Sequence, residues 1–170
     1  SVVEPYNKEI KNQSLLNINV YEKITDIPKS DCYDGITLWH VLEHLPNPED
    51  VLSKIHNVLE KKGVLMIALP NINSLDARYY KSYWAALDVP RHIWHYTVKG
   101  ITSLVESKGF KLEKKHPLFF DAFYISYISE THKNSRFAMI RGFFFALLSN
   151  FSALFNKEFS SMIFIFKKSI

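Results

Sequence analysis

The stretch LWHVLEHLPNPEDVL, residues 38–52, carries the densest set of chemically active side chains in the sequence. His40, Glu43 and His44 stand in the order H-x-x-E-H, which binds zinc when both histidines lie one turn apart on a helix and a third ligand follows. The flanks argue against that use. His40 directly follows an apolar run, GITLW, and Pro46 and Pro48 end any helix within a turn. No second paired-ligand element follows, and His56 stands alone. The order is read as coincidence, and no metal site is expected. Cys32 is the only cysteine, which excludes an internal disulfide. It suits a reducing, cytoplasmic setting and, beside a strand, reads as an inert thiol.

The elements that position this stretch alternate in type. SVVEP reads as the end of an apolar strand stopped by Pro5, INVY as a second strand, and GITLW as a third, apolar enough for a sheet covered on both faces. Residues 47–63 read as a helix: Asn47 at the N-cap, Pro48 at the first position, Glu49 and Asp50 at the positive end. Val51, Leu52, Ile55, Val58 and Leu59 fall on one face, and Gly63 is the expected left-handed stop. VLMIAL follows as a strand ended by Pro70. Thr97 caps a helix closed by Gly109, and FKLEKK is the next strand. Two helices, within a helical insertion over 117–156, precede a last strand, SSMIFIFKK. Strands alternating with helices predict one α/β domain over 1–170 with a doubly wound, Rossmann-like, mostly parallel sheet. Ligands of such folds sit at the C-terminal strand tips, here Glu4, Tyr21, Trp39 and Pro70.

Composition sets the remaining bounds. Of 170 residues, 47% are hydrophobic and 22% charged, a globular balance. The net charge of +4 comes from scattered Lys and Arg without a basic stripe, so no nucleic-acid partner is expected. The uncharged run at 142–156 is about 15 residues, against the ~20 of a spanning helix, and reads as buried or interfacial.

From Glu4 to Thr97 the sequence resembles the class I S-adenosylmethionine-dependent methyltransferases of the broad bacterial type. VVEP, YDGITLWHVLEHLPNPEDVLSKIHNVLEKKGVLMIALPN and DVPRHIWHYT carry the likeness, in order and at the family's spacing. The resemblance extends to the two-helix insertion before the closing strand. It implies S-adenosylmethionine as cofactor, with Glu4 on the ribose hydroxyls and Pro5 beside it, Trp39 and His40 along the methionine part, and Ile24 near the adenine. A carboxylate suits a diol because it accepts both hydroxyl protons. Ile24 departs from the acid usual there, which leaves only packing on the ring. The resemblance places the substrate side in DVPRHIWHYT and the aromatic segment before it. There His92 and His95 are the candidate proton acceptors, Arg91 would hold an anionic acceptor, and Tyr83 and Trp84 would cover it. Tyr83 and Trp84 read equally well as ordinary helix packing, and the competing reading of His95 is a satisfied core residue.

The family's first strand and glycine-rich turn have no counterpart: glycines occur only at 35, 63, 100, 109 and 142, and none forms G-x-G. That strand lies centrally in the family's sheet, between those ending at Glu4 and Trp39, so the sequence is expected to be an N-terminally incomplete domain. The expected acceptor is a small molecule or a lipid- or glycan-linked group, with peripheral membrane contact or a homodimer through the helix within 135–156. The competing reading is a non-catalytic binding module that keeps the fold without the cofactor.

Overall fold

The computed structural model describes residues 2–3, 20–21, 26–28 and 32–169. Strands β1 (Val2–Val3) and β2 (Val20–Tyr21) pair in parallel. The main sheet comprises β3 (Tyr33–Trp39), β4 (Leu59–Pro70), β5 (Phe110–Pro117) and β6 (Ser161–Lys168), in the order β3-β4-β6-β5. β3 runs parallel to β4, and β6 is antiparallel to both β4 and β5, so three strands share a direction and β6 opposes them. The reversal follows from the insertion: its two helices form a hairpin, which returns the chain to the end of the sheet that β5 had just left. Among the described residues β3 pairs only with β4, and none of its residues is fully buried. GITLW, expected to be covered on both faces, is therefore an edge in the described sheet.

The helices are α1 (Pro48–Val58), α2 (Leu75–Tyr80), α3 (Val98–Glu106), α4 (Asp121–His132) and α5 (Ala138–Asn156). Expectations at three helix ends hold. The Thr97 hydroxyl accepts from the amide of Gly100 at 2.9 Å, and Gly109 takes φ +84 after α3. Asn47 stands at the N-cap of α1 with Pro48 at its first position, although the Asn47 side chain makes no capping bond. The expected stop at Gly63 does not hold: α1 ends at Val58. Leu59 is already extended, pairs with Tyr33 and is 2% exposed. The pairing then jumps from Tyr33–Leu59 to Gly35–Val64, so residues 60–63 bulge out of register. Burying Leu59 in the sheet core outweighs extending the helix by one turn. Gly63 makes room for that side chain, because a Cβ there would lie 2.5 Å from Leu59 Cγ.

The main core joins Leu52 and Ile55 of α1, Leu65, Ile67 and Leu69 of β4, Ile101 and Val105 of α3, and Phe164 and Phe166 of β6. A second cluster holds Ala77, Tyr80, Trp84, Ala86 and Ile125. It is organised by Asp76, fully buried, which accepts from Trp84 Nε1 at 2.8 Å and from Ser149 Oγ at 2.9 Å.

Helix α5 buries its small residues, Gly142, Ala146, Ser149 and Ala153, and turns its large apolar ones outward. The hairpin with α4 closes tightest at Gly142, where a Cβ would lie 2.8 Å from both N and Cα of Tyr127. Backbone atoms in a packed helix cannot swing aside. Gly142→Ala is therefore expected to cost about 1–3 kcal/mol from overpacking, offset by up to ~1 kcal/mol of helix propensity. The net effect should be a thermal midpoint lower by several degrees in calorimetry; an equal or higher midpoint would contradict the crossing geometry.

Candidate active site at the strand tips

At the end of β3 the chain turns through His40, a non-glycine residue at φ +50, whose amide donates to the carbonyl of Ala68 on β4 at 3.0 Å. Its ring lies between two acids: Nε2 is 3.4 Å from Asp121 Oδ2 and Nδ1 is 3.4 Å from Glu43 Oε1. Hydrogen bonding to Asp121 first, then to Glu43, raises its pKa to about 9 against the opposing effect of burial, so the imidazolium prevails at neutral pH. Trp39 beside it is 51% exposed.

A 3-10 turn, Leu42–His44, follows and buries Leu42 and Glu43. The Glu43 carbonyl accepts from the amides of Ile93 at 2.9 Å and Trp94 at 3.2 Å, and Trp94 Nε1 donates to the Leu45 carbonyl at 2.9 Å. These bonds lace DVPRHIWHYT onto the turn, so two stretches some fifty residues apart form one wall. His44 Nδ1 donates to the Arg91 carbonyl at 3.0 Å, His92 Nδ1 to Ala86 at 2.8 Å, and His95 Nε2 to Leu87 at 2.8 Å. A carbonyl only accepts, so each of these nitrogens carries a proton, and in the neutral ring the other nitrogen holds the lone pair. A small pocket here is lined by Glu43, Pro70, Ile72, Trp84, Ala86, His92, Trp94, His95 and Tyr96.

The structure thus brings His92, His95 and Trp84 to one pocket, with His40 adjoining through Glu43. Trp84 is a wall and not a cover: it is 2% exposed and its indole is fixed by Asp76. Tyr83 is 48% exposed and Arg91 points outward, bound to Asp88 Oδ1 at 2.7 Å; neither lines the pocket. Glu4, Pro5 and Ile24 lie outside the described residues. Sequence reasoning gave no role to Asp121, the partner of His40. Its only local signal is an acid opening a helix, and nothing in the sequence says that this helix reaches the tip of β3.

A twisted α/β sheet whose last strand runs against the others, with its polar and aromatic side chains gathered at the strand tips, defines the Rossmann-like fold of the class I methyltransferases. Residues 2–115 match the family described as a methyltransferase domain, and the chain belongs to that family. No curated protein matches it in sequence. Among solved structures it is similar to a methyltransferase from Galdieria sulphuraria provisionally assigned to sarcosine and dimethylglycine, at 20% identity and TM-score 0.57 over 93% of this chain and 63% of that one. A Thermotoga maritima S-adenosylmethionine-dependent methyltransferase superposes with TM-score 0.61 at 13% identity, over 98% of this chain and 72% of that one. Magnesium protoporphyrin IX methyltransferase from Synechocystis PCC 6803, solved with S-adenosylhomocysteine, does so with TM-score 0.51 at 11% identity, over 94% and 57%. These likenesses are of fold. The chain spans less than two thirds of the Galdieria protein's length.

Proposed function

We propose that this domain transfers a methyl group from S-adenosylmethionine to an acceptor presented at a lipid surface. Membership of the methyltransferase family carries the first part, and the open tip of β3 supports it: half-exposed Trp39 and the left-handed turn at His40 leave a flat aromatic face beside the strand end. Trp39 and His40 are the described residues that fit the methionine side of the cofactor. Glu4, Pro5 and Ile24 are assigned to its ribose and adenine side on the resemblance alone. S-Adenosylmethionine, when bound, supplies a methyl already activated on a sulfonium, so the protein's task is alignment and exclusion of water. In their neutral form His92 and His95, which line the pocket, would accept the proton of a hydroxyl or amine acceptor on the nitrogen not bonded to a carbonyl. Calorimetric titration of the full protein with S-adenosylhomocysteine is expected to give saturable 1:1 binding weakened by Trp39→Ala. An absence of binding would favour the non-catalytic module.

The lipid surface rests on the inverted pattern of α5. Phe143, Phe144, Leu147, Leu148, Phe151 and Phe155 are each 44% to 76% exposed on one helix. Monomeric soluble proteins rarely leave so large a continuous apolar face to water. The helix is long and apolar enough to cross a bilayer by length and composition, but its small-residue stripe is packed on α4, so we read it as lying in the interface. Arg136, Arg141 and Lys157 flank the apolar face and suit anionic headgroups; Arg141 is also paired with Glu130 at 3.3 Å.

A further inference from the structure

We propose that Glu43, His44 and His92 bind a divalent transition-metal cation through one carboxylate oxygen and two imidazole nitrogens. One ligand atom from each lies within 4.8 Å of the others. Ligands of a single ion at bond lengths of about 2.0–2.2 Å stand at most ~4.4 Å apart, so capture needs only small side-chain rotations.

Three observations point to a cation. Glu43 is 1% exposed, and its only neighbour of opposite charge among the described residues is the His40 ring. Oε1 has the His40 ring at 3.4 Å, and Oε2 has no hydrogen-bond partner among the described residues. A buried carboxylate with one oxygen left unsatisfied is costly, and a cation bound on that side removes the cost. The two histidines are also prepared as ligands. Each donates Nδ1–H to a backbone carbonyl, Arg91 for His44 and Ala86 for His92, which in the neutral ring fixes the tautomer with the lone pair on Nε2. Metal-binding histidines are held in this way in most proteins. Finally, the site has an entry: His44 is exposed, His92 partly so, and Glu43 lies at the inner end. A competing contact at His92 Nε2, Asp88 Oδ2 at 3.9 Å, is too long for a hydrogen bond.

Two imidazoles and one carboxylate suit Zn²⁺, Co²⁺, Mn²⁺ or Fe²⁺ and disfavour Mg²⁺ and Ca²⁺, which take oxygen ligands. Three protein ligands leave positions open, and two of them, Glu43 and His92, line the pocket. On the methyl-transfer reading an acceptor oxygen would fill one of those positions. His92 would then act as a ligand, leaving His95 as the proton acceptor. That role rests on the proposed function; cation binding does not. The H-x-x-E-H order therefore contributes its Glu-His pair to a site completed by His92, while His40 remains with Asp121.

Untagged full-length protein, stripped with chelator and titrated with Co²⁺ without nucleotide cofactor, is expected to take up one ion per chain. It should develop a visible d–d band that Zn²⁺ abolishes. His44→Ala and His92→Ala should each weaken uptake by more than the ~10–100-fold typical of losing an outer partner, while His95→Ala binds as wild type. If an alanine variant fails to fold, Glu43→Gln, which keeps the side chain's shape, supplies the same comparison. Absence of stoichiometric uptake by the wild type, or wild-type uptake by the ligand variants, overturns the proposal. Because the readout contains no cofactor, failure to bind S-adenosylhomocysteine leaves it intact.

Discussion

Trp84→Ala is expected to lower the free energy of unfolding by about 3–5 kcal/mol, the range for truncating a fully buried aromatic. Two effects add. The indole fills the second core, between α2 and α4, with Ala77, Ala86 and Ile125, and its removal leaves a cavity in a cluster too small to collapse around it. Its Nε1–H is also one of the two side-chain donors to Asp76 among the described residues, so truncation leaves that buried carboxylate with Ser149. Trp84→Phe separates the two. It keeps most of the ring and removes the donor, and should cost about 1–3 kcal/mol, the range for leaving one buried acceptor short. Urea unfolding followed by circular dichroism measures both. A loss below ~1 kcal/mol for Trp84→Ala would mean that this cluster does not hold the hairpin to the domain.

The second large effect concerns partition onto membranes. Wild-type protein is expected to float with vesicles containing phosphatidylglycerol, more weakly with phosphatidylcholine alone, and less again as salt rises. The double variant Phe144→Asp, Phe151→Asp should stay at the bottom of the gradient. Fully burying a phenylalanine is worth roughly 1.5–3 kcal/mol, so losing two should weaken binding by at least ~100-fold before the cost of immersing carboxylates is counted. Both residues are exposed and outside the two cores, so the variant should retain the wild-type fold and thermal midpoint. Wild-type protein that stays unbound, or a variant that floats equally well, overturns the lipid reading. A concentration-dependent dimer abolished by the same substitutions would assign the face to a second copy of the chain.

How far the sequence discloses this molecule depends on whether the determining contacts are local. VLMIAL and SMIFIF announce buried strands because each residue's own apolarity suffices, and Thr97 and Gly109 announce helix ends because capping acts within a few residues. Leu59 shows the limit. Its spacing fits the apolar face of α1, and Lys61, Lys62 and Gly63 make a convincing helix end, yet pairing with Tyr33 captures it for the sheet. The site is less legible still. Trp39 and His40 stand at a strand tip as expected, but the meeting of Glu43 and His44 with His92 depends on two amide bonds to the Glu43 carbonyl, formed across a long loop. The outward phenylalanines of α5 were visible in composition, but their direction was not. The hairpin partner chooses which stripe is buried, and α4 selects the small one because only small residues admit its backbone so closely.

The position of β6 between β4 and β5 has a consequence for synthesis. Among the described strands β5 pairs only with β6, which leaves the ribosome only after the whole α4–α5 hairpin has been made. Until then β4 keeps one edge open, and the phenylalanine-rich helix has already emerged over a sheet that cannot yet close. The growing chain therefore shows its stickiest surface while its core is incomplete, the stage at which such a chain is most open to aggregation and to chaperones.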